Sequence, residues 1–304
     1  MRPDRAKPLW LAACALAALC ANALAQDSDR FPQARPPSPE QRRPATPPTP
    51  ATPAATEQQR RWCEGEDGAT VEQRIEGCSA VIKARRDKGD KLAEIFNNRA
   101  LAYRAQGDAA KAIADYGAAI KLNAKFAAAF NNRGVAYDHK GDYDHAIADF
   151  DEAIKLKPFA LAYFNRGNAH LAKAKFDHAI DDYNQALKMK PDFVAALDNR
   201  CWARVVVGIL KGALADCNEA LRLAPNSVAT LESRGFAFLK MTMFDAAVSD
   251  FDAALKLNPK LASALYGRGL AKLKNEDSSG EADIAAAKEL QAGIAEEYSR
   301  YGVE

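Results

Sequence analysis

The sequence predicts an all-α fold, a solenoid of stacked helical hairpins, and three observations carry that expectation. Pro158, Pro191, Pro225 and Pro259 are separated by 33, 34 and 34 residues. Arg99, Arg133, Arg166, Arg200, Arg234 and Arg268 keep the same rhythm, as do Ala119, Ala153, Ala186, Ala220, Ala254 and Ala287. Within one unit, from Ala129 to Pro158, apolar residues recur at helical spacing in two runs broken by Lys140-Gly141-Asp142. Gly141 suits the end of the first helix, Asp142 is placed to cap the second, and Pro158 stops it.

The first element, residues 1–25, reads as a secretory leader: basic from Arg2 to Lys7, apolar from Leu9 to Leu19, then Ala23-Leu24-Ala25 before Gln26. Its apolar run is too short to span a bilayer, so no membrane-crossing segment is expected in the mature chain. Leu11-Ala12-Ala13-Cys14 also matches the approach to a lipidated cysteine, but only a short apolar stretch precedes Cys14. Periplasmic or secreted residence after cleavage is the favoured reading. Residues 26–61 hold nine of the fifteen prolines among Gln, Thr and Ala. Such a stretch favours extended polyproline over a packed core and could reach about 100 Å as a disordered linker.

The chain as a whole has ordinary globular composition, 48% apolar and 27% charged over 304 residues. Without its leader it carries 39 basic and 39 acidic residues. That balance argues against a nucleic-acid partner. Four cysteines remain, Cys63, Cys78, Cys201 and Cys217, an even number that suits two disulfides in an oxidising compartment.

Phe130, Gly134, Tyr137, Ala146, Phe150, Ala153 and Pro158 together resemble the tetratricopeptide repeat, and the NRG signature resembles that of bacterial exported members. The resemblance implies a right-handed superhelical α-solenoid. With Gly134 as position 8 of its unit, the boundaries are 93–126, 127–159, 160–193, 194–227, 228–261 and 262–292. A cysteine-containing half-repeat (62–92) precedes them, with Val71–Ile82 as a lone helix, and a capping helix (293–304) follows. Thr242 stands where the fifth unit's turn would carry glycine.

Cys201 and Cys217 occupy positions 8 and 24, which the repeat sets face to face, so they are expected to bond with each other, and Cys63 with Cys78. Every unit has Arg at position 7 and Asp at position 23, ending with Asp283, which suggests a ladder of exposed ion pairs, within repeats or between them. Position 6 carries Asn98, Asn132, Asn165 and Asn199, on a face the inner helix turns partly into the groove. Either this column hydrogen-bonds the backbone of an extended guest, or each amide satisfies a neighbouring backbone group. Trp202, Val205, Phe236, Leu239, Tyr266, Leu270 and Leu273 make the later units apolar at groove positions, as core or as a guest-binding floor.

No phosphate-binding loop, Gly-x-Ser-x-Gly or His-Glu-x-x-His occurs, and the four histidines do not form a metal set, so neither catalysis nor a cofactor is expected. Position 5 (Asn97, Asn131, Phe164, Asp198, Glu232, Tyr266) lacks the Lys/Asn clamp for a terminal carboxylate. The functional expectation is an exported scaffold that holds a protein or peptide in its groove. The alternative is an envelope spacer, or a self-associating rod without a guest.

Overall fold

The computed structural model of the protein describes residues 55–66 and 68–303. The expected leader and residues 26–54 of the Pro-rich stretch lie outside them. The described residues form fifteen helices and no strand. The six expected hairpins are α3 (Gly89–Ala105) with α4 (Ala109–Leu122), α5 (Ala127–His139) with α6 (Tyr143–Leu156), α7 (Ala160–Ala172) with α8 (Phe176–Met189), α9 (Val194–Val206) with α10 (Leu210–Leu223), α11 (Val228–Lys240) with α12 (Phe244–Leu257), and α13 (Ala262–Lys274) with α14 (Gly280–Leu290). Each helix packs mainly on its sequence neighbours. The first helices of successive hairpins also touch one another, whereas the second helices make no comparable contact, so the first helices line the inside of the curve.

Each hairpin closes on a small residue. A Cβ added at Gly134 would lie 2.7 Å from the Phe150 ring, one at Gly167 2.7 Å from Tyr183, and one at Gly235 2.8 Å from Phe251. In these units only glycine at position 8 lets the helices approach this closely around a buried position-24 ring. In the fourth unit Cys201 and Cys217 replace the small residue and the ring, with Cα atoms 5.6 Å apart and sulfurs at bonding distance.

The helix Val71–Ala84 (α2) is longer than expected and is not alone. It pairs with α1 (Glu57–Glu64), which starts inside the stretch read as linker. Thr56 accepts from the Gln59 amide while the Gln59 side chain accepts from the Thr56 amide, a capping box that nucleates α1 despite the prolines before it. The crossing is tight, since a Cβ at Gly77 would lie 2.3 Å from the Gln59 carbonyl oxygen, and the Cys63 and Cys78 sulfurs are at bonding distance. Closing loops of this size contributes about 3 kcal/mol each.

Asp142 caps α6 as its sequence position suggests, and Asp108 caps α4 in the same way. Gly107, Gly141 and Gly208 take the left-handed conformation in the hairpin turns; in the other three turns Ala174, Thr242 and Glu276 must do so, at φ of 53°, 60° and 62°. A β-branched residue is the worst fit there. Thr242→Gly should therefore raise the stability of the fifth unit by about 1 kcal/mol, read as a higher midpoint in urea unfolding followed by circular dichroism.

Candidate functional site

The inner face is held in register by one arginine per repeat. Arg99, Arg133, Arg166, Arg200, Arg234 and Arg268 each bind the aspartate of their own hairpin through two N–H groups: Asp115, Asp149, Asp182, Asp216, Asp250 and Asp283, at 2.6–3.2 Å. The pairing is thus within repeats, but the pairs are not exposed as expected, because all six aspartates are buried. The carboxylate bond holds the Arg99, Arg133 and Arg268 guanidinium groups above the ordinary arginine range.

A third N–H on five of the arginines crosses to the preceding hairpin. The acceptors are Ser79, Asp151, Asn184, Asn218 and Asp252, for Arg99, Arg166, Arg200, Arg234 and Arg268 respectively. These acceptors all follow the buried position-24 residue, or Cys78 in the leading pair. Arg133 faces Gly117 at that place, with 3.7 Å between its Nη1 and a built Cβ. Gly117→Asn should supply the missing acceptor and remove a mid-helix glycine, raising stability by about 1 kcal/mol; Arg133→Ala in the same background should cancel the acceptor's share of the gain.

The asparagine column also links repeats. Asn132 donates to Asn97 Oδ1 at 3.1 Å, Asn165 to Asn131 Oδ1 at 3.0 Å, and Asn199 to Asn168 Oδ1 at 2.8 Å. The partners are side chains of the preceding hairpin, not the neighbouring backbone groups considered from the sequence. Asn98 instead lines a hollow with Arg60, Glu64, Asp87, Lys91 and Glu94 where α1 meets α3.

Across units four to six the expected apolar floor lies beneath another part of the chain. Phe236 is fully buried, and Val205, Leu239 and Tyr266 are buried; Trp202 and Leu270 are half-buried, and Leu273 is exposed. The covering segment is α15 (Ile294–Ser299) with Tyr301 and Val303. Tyr298 stacks on Phe236 at 4.6 Å and lies 5.7 Å from Tyr266 and 6.2 Å from Trp202. Tyr301 meets Trp202 edge-on at 5.4 Å and reaches Phe176 at 6.3 Å. The Tyr298 hydroxyl donates to Glu232 at 3.0 Å, and Lys240 Nζ donates to the carbonyls of Val205 and Tyr301.

Two acids lie along this face. Burial pushes the Asp198 carboxyl up to about 7; nearby Glu232 adds to the rise, while Thr230 and Ser233 oppose it. One Asp198 oxygen has no hydrogen-bond partner. Burial also raises Glu232, against the hydroxyls of Ser263 and Tyr298, and lowers the Lys240 ammonium. Because Asp198 binds its proton more tightly when folded, its ionisation opposes folding increasingly as pH rises from about 4 to 7, and by a constant amount above that. Asp198→Asn should raise stability by about 2 kcal/mol at pH 8 and leave it unchanged near pH 3.5, measured as urea midpoints at both values.

Among the histidines, His145 and His178 are exposed. His170 is half-buried, its ring 5.2 Å from that of His178, and burial lowers its pKa. No group of three or more His, Cys, Asp or Glu suited to a metal ion occurs among the described residues. No described helix is long and apolar enough to cross a membrane.

This architecture of hairpins closed on a small residue and curved around their first helices is matched by sequence. Tetratricopeptide repeat models match residues 127–159, 160–193 and 234–297, and a further TPR repeat model matches 100–138. The chain belongs to the tetratricopeptide repeat proteins. Among solved structures, YrrB, described as a TPR protein with an unusual peptide-binding site, is 23% identical with a TM-score of 0.50, over 61% of this chain and 97% of that one. A tetratricopeptide repeat protein from Parabacteroides merdae is 17% identical with a TM-score of 0.59, over 81% and 100%. The Pseudomonas aeruginosa protein pilF is 16% identical with a TM-score of 0.57, over 69% and 98%. At these identities the likeness concerns the fold. No curated protein sequence matches the chain.

Proposed function

We propose that the chain is an exported, non-catalytic scaffold that holds an extended segment of a partner protein along the inner face of its first three repeats. The asparagine column carries this reading. The bonds of Asn132 and Asn165 to the preceding repeat each engage one amide N–H and thereby orient the side chain. The second N–H and the carbonyl oxygen remain to pair with the peptide groups of a guest, whatever its sequence. Peptide binding by YrrB, a protein of the same fold, is consistent with such a use of the groove. Two cysteine pairs at bonding distance favour an oxidising, extracytoplasmic compartment. Near-equal numbers of acidic and basic residues favour protein over nucleic acid as partner.

The test compares two variants for partners captured by crosslinking in intact cells. Replacing Asn98, Asn132, Asn165 and Asn199 by Ala should lower capture by about tenfold or more. Replacing Asn97 and Asn131 by Ala keeps the position-6 amides but removes the acceptors that orient two of them, so capture should fall by less than in the quadruple variant. Equal capture by both variants sinks the asparagine ladder. Unchanged capture together with a mass that rises with concentration in light scattering would favour the self-associating rod.

A further inference from the structure

We propose that residues 294–303 are an internal ligand of the groove, and that the surface they cover in units four to six receives a partner helix bearing two aromatic residues three positions apart. The inference rests on the reading of the inner face as a partner-binding surface, and it names the chemistry that its C-terminal half selects.

The reach of the segment is the first argument. A cap need only cover the last hairpin, α13 with α14. Tyr301 instead touches Trp202 in the fourth unit and Phe176 in the third, and Lys240 in the fifth takes its carbonyl. The segment therefore runs back along the inner helices, on residues that the repeat pattern directs into the groove.

Its contacts also have the form of a recognition site. Trp202, Phe236 and Tyr266, from three successive inner helices, surround the Tyr298 ring. Two directed polar contacts fix the pose: Glu232 accepts from the Tyr298 hydroxyl, and Lys240 donates to the Tyr301 carbonyl. Aromatic anchors in a pocket, oriented by a few polar groups, are the arrangement found where binding energy concentrates.

The segment has little structure of its own to contribute. Its helix is six residues long, too short to persist in water, and Gln291-Ala292-Gly293 separates it from the end of α14. Its departure would uncover Phe236, Leu239 and Tyr266 as one apolar patch, the kind of surface that marks an interaction site. A partner helix that ends in Tyr-x-x-Tyr or its aromatic equivalents, with the second ring just past the last turn as Tyr301 is here, would leave that residue's carbonyl free and satisfy the same ring pocket and the same two polar groups. Partner and segment then compete for one surface.

The experiment uses the full chain. Hydrogen exchange on the unaltered protein should show the amides of residues 294–303 exchanging well before those of α11 and α13. A full-length Tyr298→Ala/Tyr301→Ala variant should bind a synthetic peptide of residues 291–303, followed by Trp202 fluorescence, about tenfold more tightly than the unaltered chain does. The same peptide carrying Tyr298→Ala should not bind, and Lys240→Met in the receptor should weaken binding. Exchange of the segment only together with α11 and α13 would make it core and overturn the proposal, even if the double variant fails to fold. A folded double variant that ignores the peptide would overturn it as well. Partner capture that depends on the asparagines, with a segment that exchanges as core, refutes the internal ligand alone. Peptide competition without any captured partner leaves residues 294–303 a displaceable internal ligand but refutes the scaffold reading and the partner helix that rests on it.

Discussion

The distance between the two helices of a hairpin governs the rest of this molecule, and it is set where a side chain is nearly absent. Gly134, Gly167 and Gly235 lie so close to Phe150, Tyr183 and Phe251 that any added Cβ would fall within 3 Å of a ring. This approach buries the position-24 ring completely and brings positions 7 and 23 within reach of two parallel hydrogen bonds. Where the fourth unit departs from the pattern it does so at both members of the pair, with Cys201 bound to Cys217. The disulfide spans the place of the small residue and the ring.

From that spacing the arginines build the superstructure. A guanidinium has five N–H donors in a fixed plane, enough to bind its own aspartate twice and still donate to the preceding hairpin. The local fold and the stacking of repeats thus share one side chain in five of the six units. The aspartates are buried, so an unpaired partner would leave a charge without solvent, and the value of the network lies in register more than in net stability. The asparagine bonds between successive inner helices tie the same interfaces from the concave side.

The resulting groove has two unlike halves. Units one to three present amides whose geometry is set by inter-repeat bonds. Units four to six present rings and aliphatic chains, together with two acids raised by burial, and these residues lie beneath the C-terminal segment. The asymmetry follows from residue choice at equivalent positions: position 5 is Asn97 and Asn131 early, then Asp198, Glu232 and Tyr266 late. An identical backbone pattern therefore presents amides at one end of the inner face and aromatic rings at the other.

What the sequence determined by itself was everything that repeats or lies close along the chain. The hairpins, the positions of Arg and Asp, the two cysteine pairs and the Asp142 cap are all local relations, mostly at fixed offsets of 15 or 16 residues, which the period makes visible. Helix α1 was legible in principle, through the Thr56-to-Gln59 capping box, but the prolines before it pointed to linker. Only the tertiary structure decided which repeat each asparagine and each third arginine N–H would reach, because donors and acceptors recur in every unit. It alone placed the C-terminal segment on the groove. The Tyr298–Glu232 and Lys240–Tyr301 bonds join residues 66 and 61 apart. Contacts at such separations have no periodic counterpart, and they arise only once the solenoid's curvature brings an apolar floor within reach of the chain's own end.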